Sequence, residues 1–231
     1  MRCLFDADKP HFSTWLWIHN EDQWRGSMTT MRPSKPEAVP LYYAARLGFH
    51  DLVEHLIVKH PEHISTRGGF HETPIHAAVS ARQTDILSLL IQHGADVNGR
   101  GDTGNTPLLV ASQNGRLEAG QILLNYGADI NAQNRFNNTP LIYATLGNSI
   151  EFVRMLLERG AVIDVRGIFG TTALHWAVRR GPEFVRLFLE HGADVNVRDK
   201  NGITPSELGL QKGHPEIAEL LSEYRAKSVE E

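Results

Sequence analysis

The sequence predicts an all-α protein built as a stack of helix pairs, and two recurring landmarks in the chain lead to this prediction. The first landmark is a small polar residue followed by proline and an apolar residue, and from Pro40 onward its copies are separated by 34, 33, 33, 33 and 32 residues. Its copies, some degenerate, start at Val39, Thr73, Thr106, Thr139, Thr172 and Thr204. The second landmark is Gly-Ala-Asp-Val-Asn or a close variant, and it starts at Gly94, Gly127, Gly160 and Gly192. Two independent landmarks with a common period near 33 residues indicate a repeat architecture.

Each repeat has the pattern of a helix, a turn and a second helix. The threonine of the first landmark suits a helix N-cap, where its hydroxyl accepts a backbone N–H. Proline follows in the first helical turn, where its missing N–H costs little, so the second copy predicts a short helix over 74–81. A small turn such as Asn114-Gly115 comes next. An amphipathic second helix then carries an apolar stripe, for example Ile86, Leu87 and Leu90.

The second landmark ends each repeat. Its glycine supplies the left-handed residue that terminates the second helix. The residues that follow predict an extended β-hairpin loop that leads to the next threonine. One such repeat cannot bury its own apolar faces, so neighbouring repeats must stack into an α-solenoid. We predict six repeats, over about 36–67, 68–100, 101–133, 134–166, 167–198 and 199–231.

The residues at the start of each repeat resemble those of a known family. Thr73–Ala78 is similar to the ankyrin signature T-P-L-H-x-A, and Thr172–Ala177 is a near copy. Leu109 and Ile142 depart from the signature because they replace its histidine, and Ala173 replaces its proline. The resemblance implies an ankyrin-repeat α-solenoid over 36–231, which holds another protein and does not catalyse a reaction.

The segment 1–35 precedes the repeats and contains Trp15, Trp17 and Trp24. One interpretation is a cap that packs on the open apolar face of the first repeat. The other is a docking segment for another domain or chain. His11–Ile18 and Pro40–Ala45 also resemble the segment that leads into the repeats of large fungal ankyrin proteins, in which a NACHT-type nucleotide-binding domain often precedes the repeats. That resemblance implies a sensor or regulatory part of an NTPase signalling protein. No G-x-x-x-x-G-K-[ST] motif occurs in this chain, so we expect no NTPase here.

The ankyrin resemblance places partner recognition on the loop tips and on the exposed faces of the first helices. The predicted contact residues are Phe70, Glu72, Asp102, Thr103, Asn105, Arg135, Phe136, Asn138, Ile168, Phe169, Lys200 and Asn201 at the tips, and Arg179 and Arg180 on the helix faces. Phe70, Phe136 and Phe169 occupy matching tip positions. Exposed aromatic side chains among polar neighbours are common interface anchors. The alternative is that these rings fold down between the loops and fill gaps.

Composition narrows the function classes. Of the 231 residues, 41% are apolar and 22% charged, and the net charge of -4 lacks the basic excess of a nucleic-acid binder. We expect no membrane segment, because no run of about 18 apolar residues occurs. Cys3 is the only cysteine, which excludes an intrachain disulfide and suits a reducing compartment. These features predict the cytosol and leave the nucleus open.

Twelve histidines raise the question of metal or catalytic chemistry. His55, His60 and His63 form the closest group in sequence, but Pro61 interrupts the helix, so we expect that the three rings do not share a face and bind no metal. His71 and His76 are spaced i, i+5 and straddle Pro74, unlike the i, i+4 pair of a metalloprotease helix. We predict no catalytic residue, no cofactor and no metal site, and we interpret His76 and His175 as parts of the scaffold.

Overall fold

The computed structural model describes residues 40–68 and 72–230, with side chains up to residue 225. These residues form six pairs of α-helices and one 3-10 helix, and no β-strand occurs among them. The helices are α1 Pro40–Leu47, α2 His50–Lys59, α3 Pro74–Ser80, α4 Thr84–Gln92, α5 Pro107–Gln113, α6 Leu117–Asn125, α7 Pro140–Leu146, α8 Ile150–Glu158, α9 Ala173–Ala177, α10 Pro182–Glu190, α11 Pro205–Gln211 and α12 Pro215–Glu230. The chain divides into two compact units, the first ending at Pro107 and the second beginning at Leu108. The all-α fold class is confirmed.

In the first unit, the first helix of one repeat packs on the first helix of the next, and the second helix packs on the next second helix. Helix α1 contacts α3, and α2 contacts α4. Their facing side chains are almost fully buried, among them Leu41, Val53, Ala78, Leu87 and Leu90. This burial is the main stabilising contribution, since each buried aliphatic side chain is worth roughly 1.5–3 kcal/mol.

The second unit repeats the arrangement. Helix α9 packs between α7 and α11, α6 contacts α8, and α10 contacts α12. Phe152 and Phe188 are the largest fully buried side chains of its second helices. Gly120 on α6 makes room for the first of them, because a Cβ atom at this position would lie 2.4 Å from Cζ of Phe152. Successive second helices therefore approach closely enough to enclose an aromatic ring.

The helix ends follow the predicted pattern with one variation. The hydroxyl of Thr139 accepts the N–H of Ile142 at 3.3 Å, as an N-cap should. In α3, which ends at Ser80, the Thr73 hydroxyl instead meets Nδ1 of His76 at 2.8 Å. Gly94, which follows α4, has a φ of 91° and Gly127, which follows α6, has a φ of 84°, so both adopt the predicted left-handed conformation.

The loops between repeats are tighter than the β-hairpins that the sequence predicts. Each is closed by a backbone hydrogen bond that spans five residues, such as Gly101 N–H to the Asn105 carbonyl at 3.0 Å and Gly167 N–H to the Thr171 carbonyl at 2.9 Å. No strand ladder extends these closures within the described residues. The reason is spacing, because the residue after each closing pair is already the N-cap threonine of the next first helix.

Candidate functional site

Two of the three loop tips of the second unit, 134–138 and 199–203, are held by side-chain hydrogen bonds to their own backbone. Oδ1 of the buried Asn134 accepts the N–H groups of Phe136 at 2.9 Å and Asn138 at 3.1 Å, while its Nδ2 donates to the Tyr143 hydroxyl at 2.8 Å. Oδ1 of Asp199 likewise accepts the N–H groups of Asn201 at 2.8 Å and Ile203 at 2.9 Å. Asn and Asp side chains stabilise turns in this way. The backbone of these tips is therefore fixed before any partner arrives.

Three large apolar side chains stand on these tips. Phe136 is 44% exposed, Ile168 is 37% exposed and Phe169 is 59% exposed. Rings that filled gaps between loops would be buried, as Phe152 and Phe188 are. Phe70, the third predicted aromatic tip residue, lies outside the described residues.

Successive tips of the second unit touch one another. The N–H of Lys200 donates to the Phe169 carbonyl at 2.9 Å. Oδ1 of Asn138 reaches the next tip so closely that a Cβ atom on Gly167 would lie 2.6 Å from it. Residues 134–138, 167–171 and 199–203 thus form one continuous surface, which we call the tip row. Arg135, Lys200 and Asn201 are exposed on it, and Asn138 is half-buried.

The predicted contact residues that the structure describes on the tips of the first unit are polar. Nη1 of Arg67 lies 2.5 Å from Oδ1 of Asp102, and its Nη2 donates to the Arg100 carbonyl at 3.1 Å. Thr103 is exposed, whereas Asn105 is half-buried and its carbonyl faces His76 at 3.0 Å. Glu72 is half-buried and lines a shallow cleft. The predicted tip residues of this unit are therefore partly engaged in holding the loop.

The two predicted arginines on the helix faces have different surroundings. Nε of Arg180 donates to the Thr145 carbonyl at 3.1 Å, and its Nη2 donates to the Leu146 carbonyl at the end of α7. A cation suits this position because carbonyl groups point out of a helix C-terminus. The guanidinium of Arg179 lies 5.2 Å from the Trp176 ring centre, and its side chain is exposed. Arg180 thus joins two repeats, while Arg179 and Trp176 form a cation–π pair beside it.

The motif histidines connect the scaffold to the tips. His76 is fully buried, with Nδ1 2.8 Å from the Thr73 hydroxyl and Nε2 3.0 Å from the Asn105 carbonyl. Because a carbonyl can only accept, Nε2 carries the proton and Nδ1 accepts from Thr73. Burial lowers the pKa of His76 to about 4, so its ring is neutral at physiological pH.

His175 repeats this contact with the Ile203 carbonyl at 3.2 Å, and burial lowers its pKa as well. Both nitrogens of each imidazole ring have hydrogen-bond partners within the protein, which supports the scaffold interpretation.

Two periodic features of the loops escaped the sequence analysis. Arg67 and Arg166 each donate to the backbone carbonyl of the matching arginine one repeat later, at 3.1 and 2.9 Å. Oδ1 of Asn131 accepts the Val162 N–H at 2.8 Å, and the Asp164 carboxylate accepts the Asp194 N–H at 3.2 Å. The recurrence of Arg and Asn at the repeat spacing was a visible signal, but only the structure shows which backbone atoms they contact.

Comparison with protein families agrees with this geometry. The family described as ankyrin repeats in three copies matches residues 41–134 and 162–230, and the single ankyrin repeat matches 136–168. The chain belongs to the ankyrin-repeat family. Ankyrin repeats generally mediate protein–protein interaction and are typically not enzymes. No curated protein matches the sequence.

Two interpretations of the N-terminal segment gain no support from the family matches or from the structure. The matches begin at residue 41, so they give no support to the resemblance of the N-terminal segment to NACHT–ankyrin proteins. Residues 1–39, and with them the cap or docking segment, lie outside the described residues. Along the described part of the chain, every helix is too short or too polar to cross a bilayer.

Proposed function

We propose that this protein is a scaffold that binds a partner protein through its tip row and the exposed faces of its first helices. The observation that carries the proposal is the exposure of Phe136, Ile168 and Phe169 on loops that are closed by backbone hydrogen bonds. Large apolar side chains are normally buried, so a group of them facing solvent on adjacent loops marks a surface for contact.

The physical mechanism is burial of preformed anchors. An aromatic side chain buries about 150–250 Å² when a partner covers it, and aromatic residues dominate interface energies. A flexible loop would lose conformational entropy on binding. The Phe136 loop is instead held by hydrogen bonds to Oδ1 of Asn134, and the Phe169 loop is held by backbone hydrogen bonds from Gly167 N–H to the Thr171 carbonyl and from Lys200 N–H to the Phe169 carbonyl. The tip row can therefore offer much of its apolar area without first becoming ordered.

Polar residues around the anchors supply selectivity. Arg135, Lys200 and Asn201 are exposed beside the phenylalanines and form the type of polar rim that surrounds an interface core. The other predicted contact residues remain part of the proposal within their own units, Glu72, Asp102, Thr103 and Asn105 in the first and Asn138, Arg179 and Arg180 in the second. The partner is accordingly a protein with apolar pockets spaced to receive side chains from adjacent loops.

The test compares the double variant Phe136→Ala/Phe169→Ala with wild type in quantitative affinity capture from cells, using cross-linking to retain weak partners. The matched control is Tyr126→Ala, which removes an exposed aromatic ring from the end of α6 and not from the tip row. We expect proteins held by wild type and by Tyr126→Ala to be lost from the double variant, while the thermal unfolding of all three stays similar. If the double variant, still folded, retains the same partners, the tip row is not the anchor.

The finer alternative is that these repeats are the sensing segment of a NACHT-type NTPase protein. It rests on the likeness of His11–Ile18 and Pro40–Ala45 to the segment that leads into fungal ankyrin repeats. Sequencing full-length transcripts of the gene tests it. An in-frame upstream domain with a G-x-x-x-x-G-K-[ST] motif would support this alternative, and a transcript that encodes only these repeats would contradict it.

A further inference from the structure

His60, Glu62 and His63 form a cluster on the surface of the first unit. Nδ1 of His60 lies 3.3 Å from Oε1 of Glu62, and Nε2 of His63 lies 3.8 Å from the same oxygen. One potential ligand atom from each of the three residues lies within 4.8 Å of the other two. Two imidazoles and a carboxylate thus converge on one small volume.

The local fold explains why these side chains meet. Pro61 disfavours a helical conformation at His60, so α2 ends at Lys59, and a 3-10 helix then runs from Pro61 to Ser65. A 3-10 helix has three residues per turn, so side chains at i and i+3 lie above one another. The rings of His60 and His63 are stacked with centres 5.0 Å apart and planes 19° apart.

This arrangement differs from the one expected from the sequence. Pro61 does interrupt the helix, and His55 is not part of the cluster. After this interruption the chain forms a 3-10 helix, which has three residues per turn. This helix brings His60 and His63 together and places Glu62 beside them. Alpha-helical spacing alone does not predict the cluster, because His60 and His63 meet through a 3-10 turn.

The distances suit a transition-metal ion. With Zn–N and Zn–O distances near 2.0–2.2 Å in a tetrahedron, neighbouring ligand atoms lie about 3.3–3.6 Å apart. The contact between His60 and Glu62 already has this length, and the contact between His63 and Glu62 is only slightly longer. The Glu62 side chain is 64% exposed, while those of His60 and His63 are 25% and 28% exposed. The carboxylate is therefore the group with most freedom to shorten its contact with His63.

One ring nitrogen of the cluster lacks a hydrogen-bond partner within the described residues. Nδ1 of His63 is buried and has no hydrogen-bond partner among the described residues, so no protein group on that side fixes the proton position of the ring. A metal ion at Nε2 would set the tautomer, because the proton must then be on Nδ1. The donor set of two nitrogens and one oxygen favours Zn²⁺, Co²⁺ or Ni²⁺ over Mg²⁺ or Ca²⁺, which prefer oxygen ligands.

We propose that His60, Glu62 and His63 form a surface binding site for a divalent transition-metal ion of the Zn²⁺ class, with its fourth position open to solvent. The site shares no residue with the tip row, so it adds a ligand to the scaffold and does not replace its partner surface.

The test is a titration of the full chain with Zn²⁺ by calorimetry, paralleled by Co²⁺ and its visible absorption in a four-coordinate site. The variants are His63→Gln, His60→Gln and Glu62→Gln. The matched control is His55→Gln, which changes an exposed histidine on α2 outside the cluster. We expect the cluster variants to weaken one Zn²⁺ equivalent by at least about tenfold and to lose the Co²⁺ signal of that equivalent, with His55→Gln unchanged.

Thermal unfolding provides a second readout that does not depend on the titration. A ligand that binds only the folded state raises Tm, so excess Zn²⁺ is expected to raise Tm for wild type and His55→Gln by more than for His63→Gln. Metal-free circular dichroism of each variant establishes that it is folded. The proposal is overturned if wild type binds no Zn²⁺, or if the folded cluster variants bind it as tightly as wild type does.

Discussion

The starts of the first helices and the tips of the loops belong to the same repeats, and both depart from the usual distribution of side chains, in which polar residues are exposed and apolar residues are buried. At the helix starts, His76 and His175 are polar and buried, and both of their ring nitrogens have partners. At the tips, Phe136 and Phe169 are apolar and exposed. Polar residues inside and apolar residues outside are the informative exceptions in a protein. Here the buried polar residues stabilise the stack, and the exposed apolar residues are free to serve binding.

Residue types vary between repeats at the loop tips and recur at the helix starts. The residue that matches Phe136 is Thr103 in one loop and Asn201 in another, whereas the N-cap threonine recurs in five consecutive repeats, at Thr73, Thr106, Thr139, Thr172 and Thr204. Positions that carry the packing are restricted by the neighbouring repeat, because a change there leaves a cavity or an unpaired group. A tip side chain that faces solvent has no such restriction.

The largest expected contrast is between a buried and an exposed phenylalanine in the same unit. Phe152→Ala removes a fully buried ring and is expected to lower the free energy of unfolding by about 3–5 kcal/mol. Phe169→Ala removes a ring that is 59% exposed and is expected to change it by less than about 0.5 kcal/mol. Urea unfolding followed by circular dichroism measures both. A loss above about 1 kcal/mol for Phe169→Ala would favour gap filling over partner binding.

The second contrast concerns pH and the buried histidine. His76 has its pKa lowered to about 4 by burial, so in the folded state it stays neutral while the unfolded chain takes up a proton near pH 6.5. The contribution of neutral His76 to the free energy of unfolding is fully present above pH 6.5. It is lost as the pH falls toward 4, by up to about 3 kcal/mol. His76→Ala should flatten this part of the pH profile and cost about 1–3 kcal/mol at pH 7, because the Asn105 carbonyl loses its donor.

The control for this prediction is His93→Ala, which removes an exposed histidine at the end of α4. Urea unfolding at pH 7, 5.5 and 4.5 should give this control nearly the wild-type profile. A His76→Ala profile as steep as that of wild type would mean that His76 is not the group responsible.

A smaller effect is expected at the turns between the paired helices. Arg82 has a φ of 63°, in the left-handed region, where Gly115 with a φ of 62° occupies the matching turn of the next repeat. A side chain costs roughly 1 kcal/mol in this conformation, so Arg82→Gly should stabilise the protein by about 0.5–1 kcal/mol. Asn148→Gly is the matched comparison and should gain less, since asparagine tolerates this region better. Urea unfolding of both variants measures the difference, and a net loss for Arg82→Gly would contradict the argument.

The smallest effect is expected between two loops. Burial, followed by the nearby Asp194 charge, raises the pKa of Asp164, which accepts the Asp194 N–H at 3.2 Å. A raised carboxyl pKa means that stability falls as the pH rises through it, so the ionised group is unfavourable at pH 7. Asn131 makes the matching contact with an uncharged amide, and Asp164→Asn should therefore stabilise by up to about 0.5 kcal/mol at pH 7. The gain should shrink at pH 3.5, and a gain that grows there would contradict this explanation.

Much of the repeat could be predicted because its signals are local. Threonine and proline mark the start of a helix, apolar residues at helical spacing mark its buried face, and glycine marks its end. These signals predicted α3 to within one residue and the left-handed glycines that follow the second helices. The loops were predicted less well. Too few residues remain between each loop and the next N-cap threonine to form the strands of a β-hairpin.

By itself, the sequence determined the all-α repeat fold, the period of its units and the assignment of the motif histidines to the scaffold, because helix capping and side-chain periodicity act within a few residues of the chain. Only the tertiary structure decided which side chains meet from different turns and different repeats. It placed Asn138 against Gly167, joined Arg180 to the end of α7, and brought His60 and His63 together with Glu62. These contacts depend on the stacking of one repeat on the next and on a 3-10 turn, and neither is encoded in the spacing of residues along a single helix.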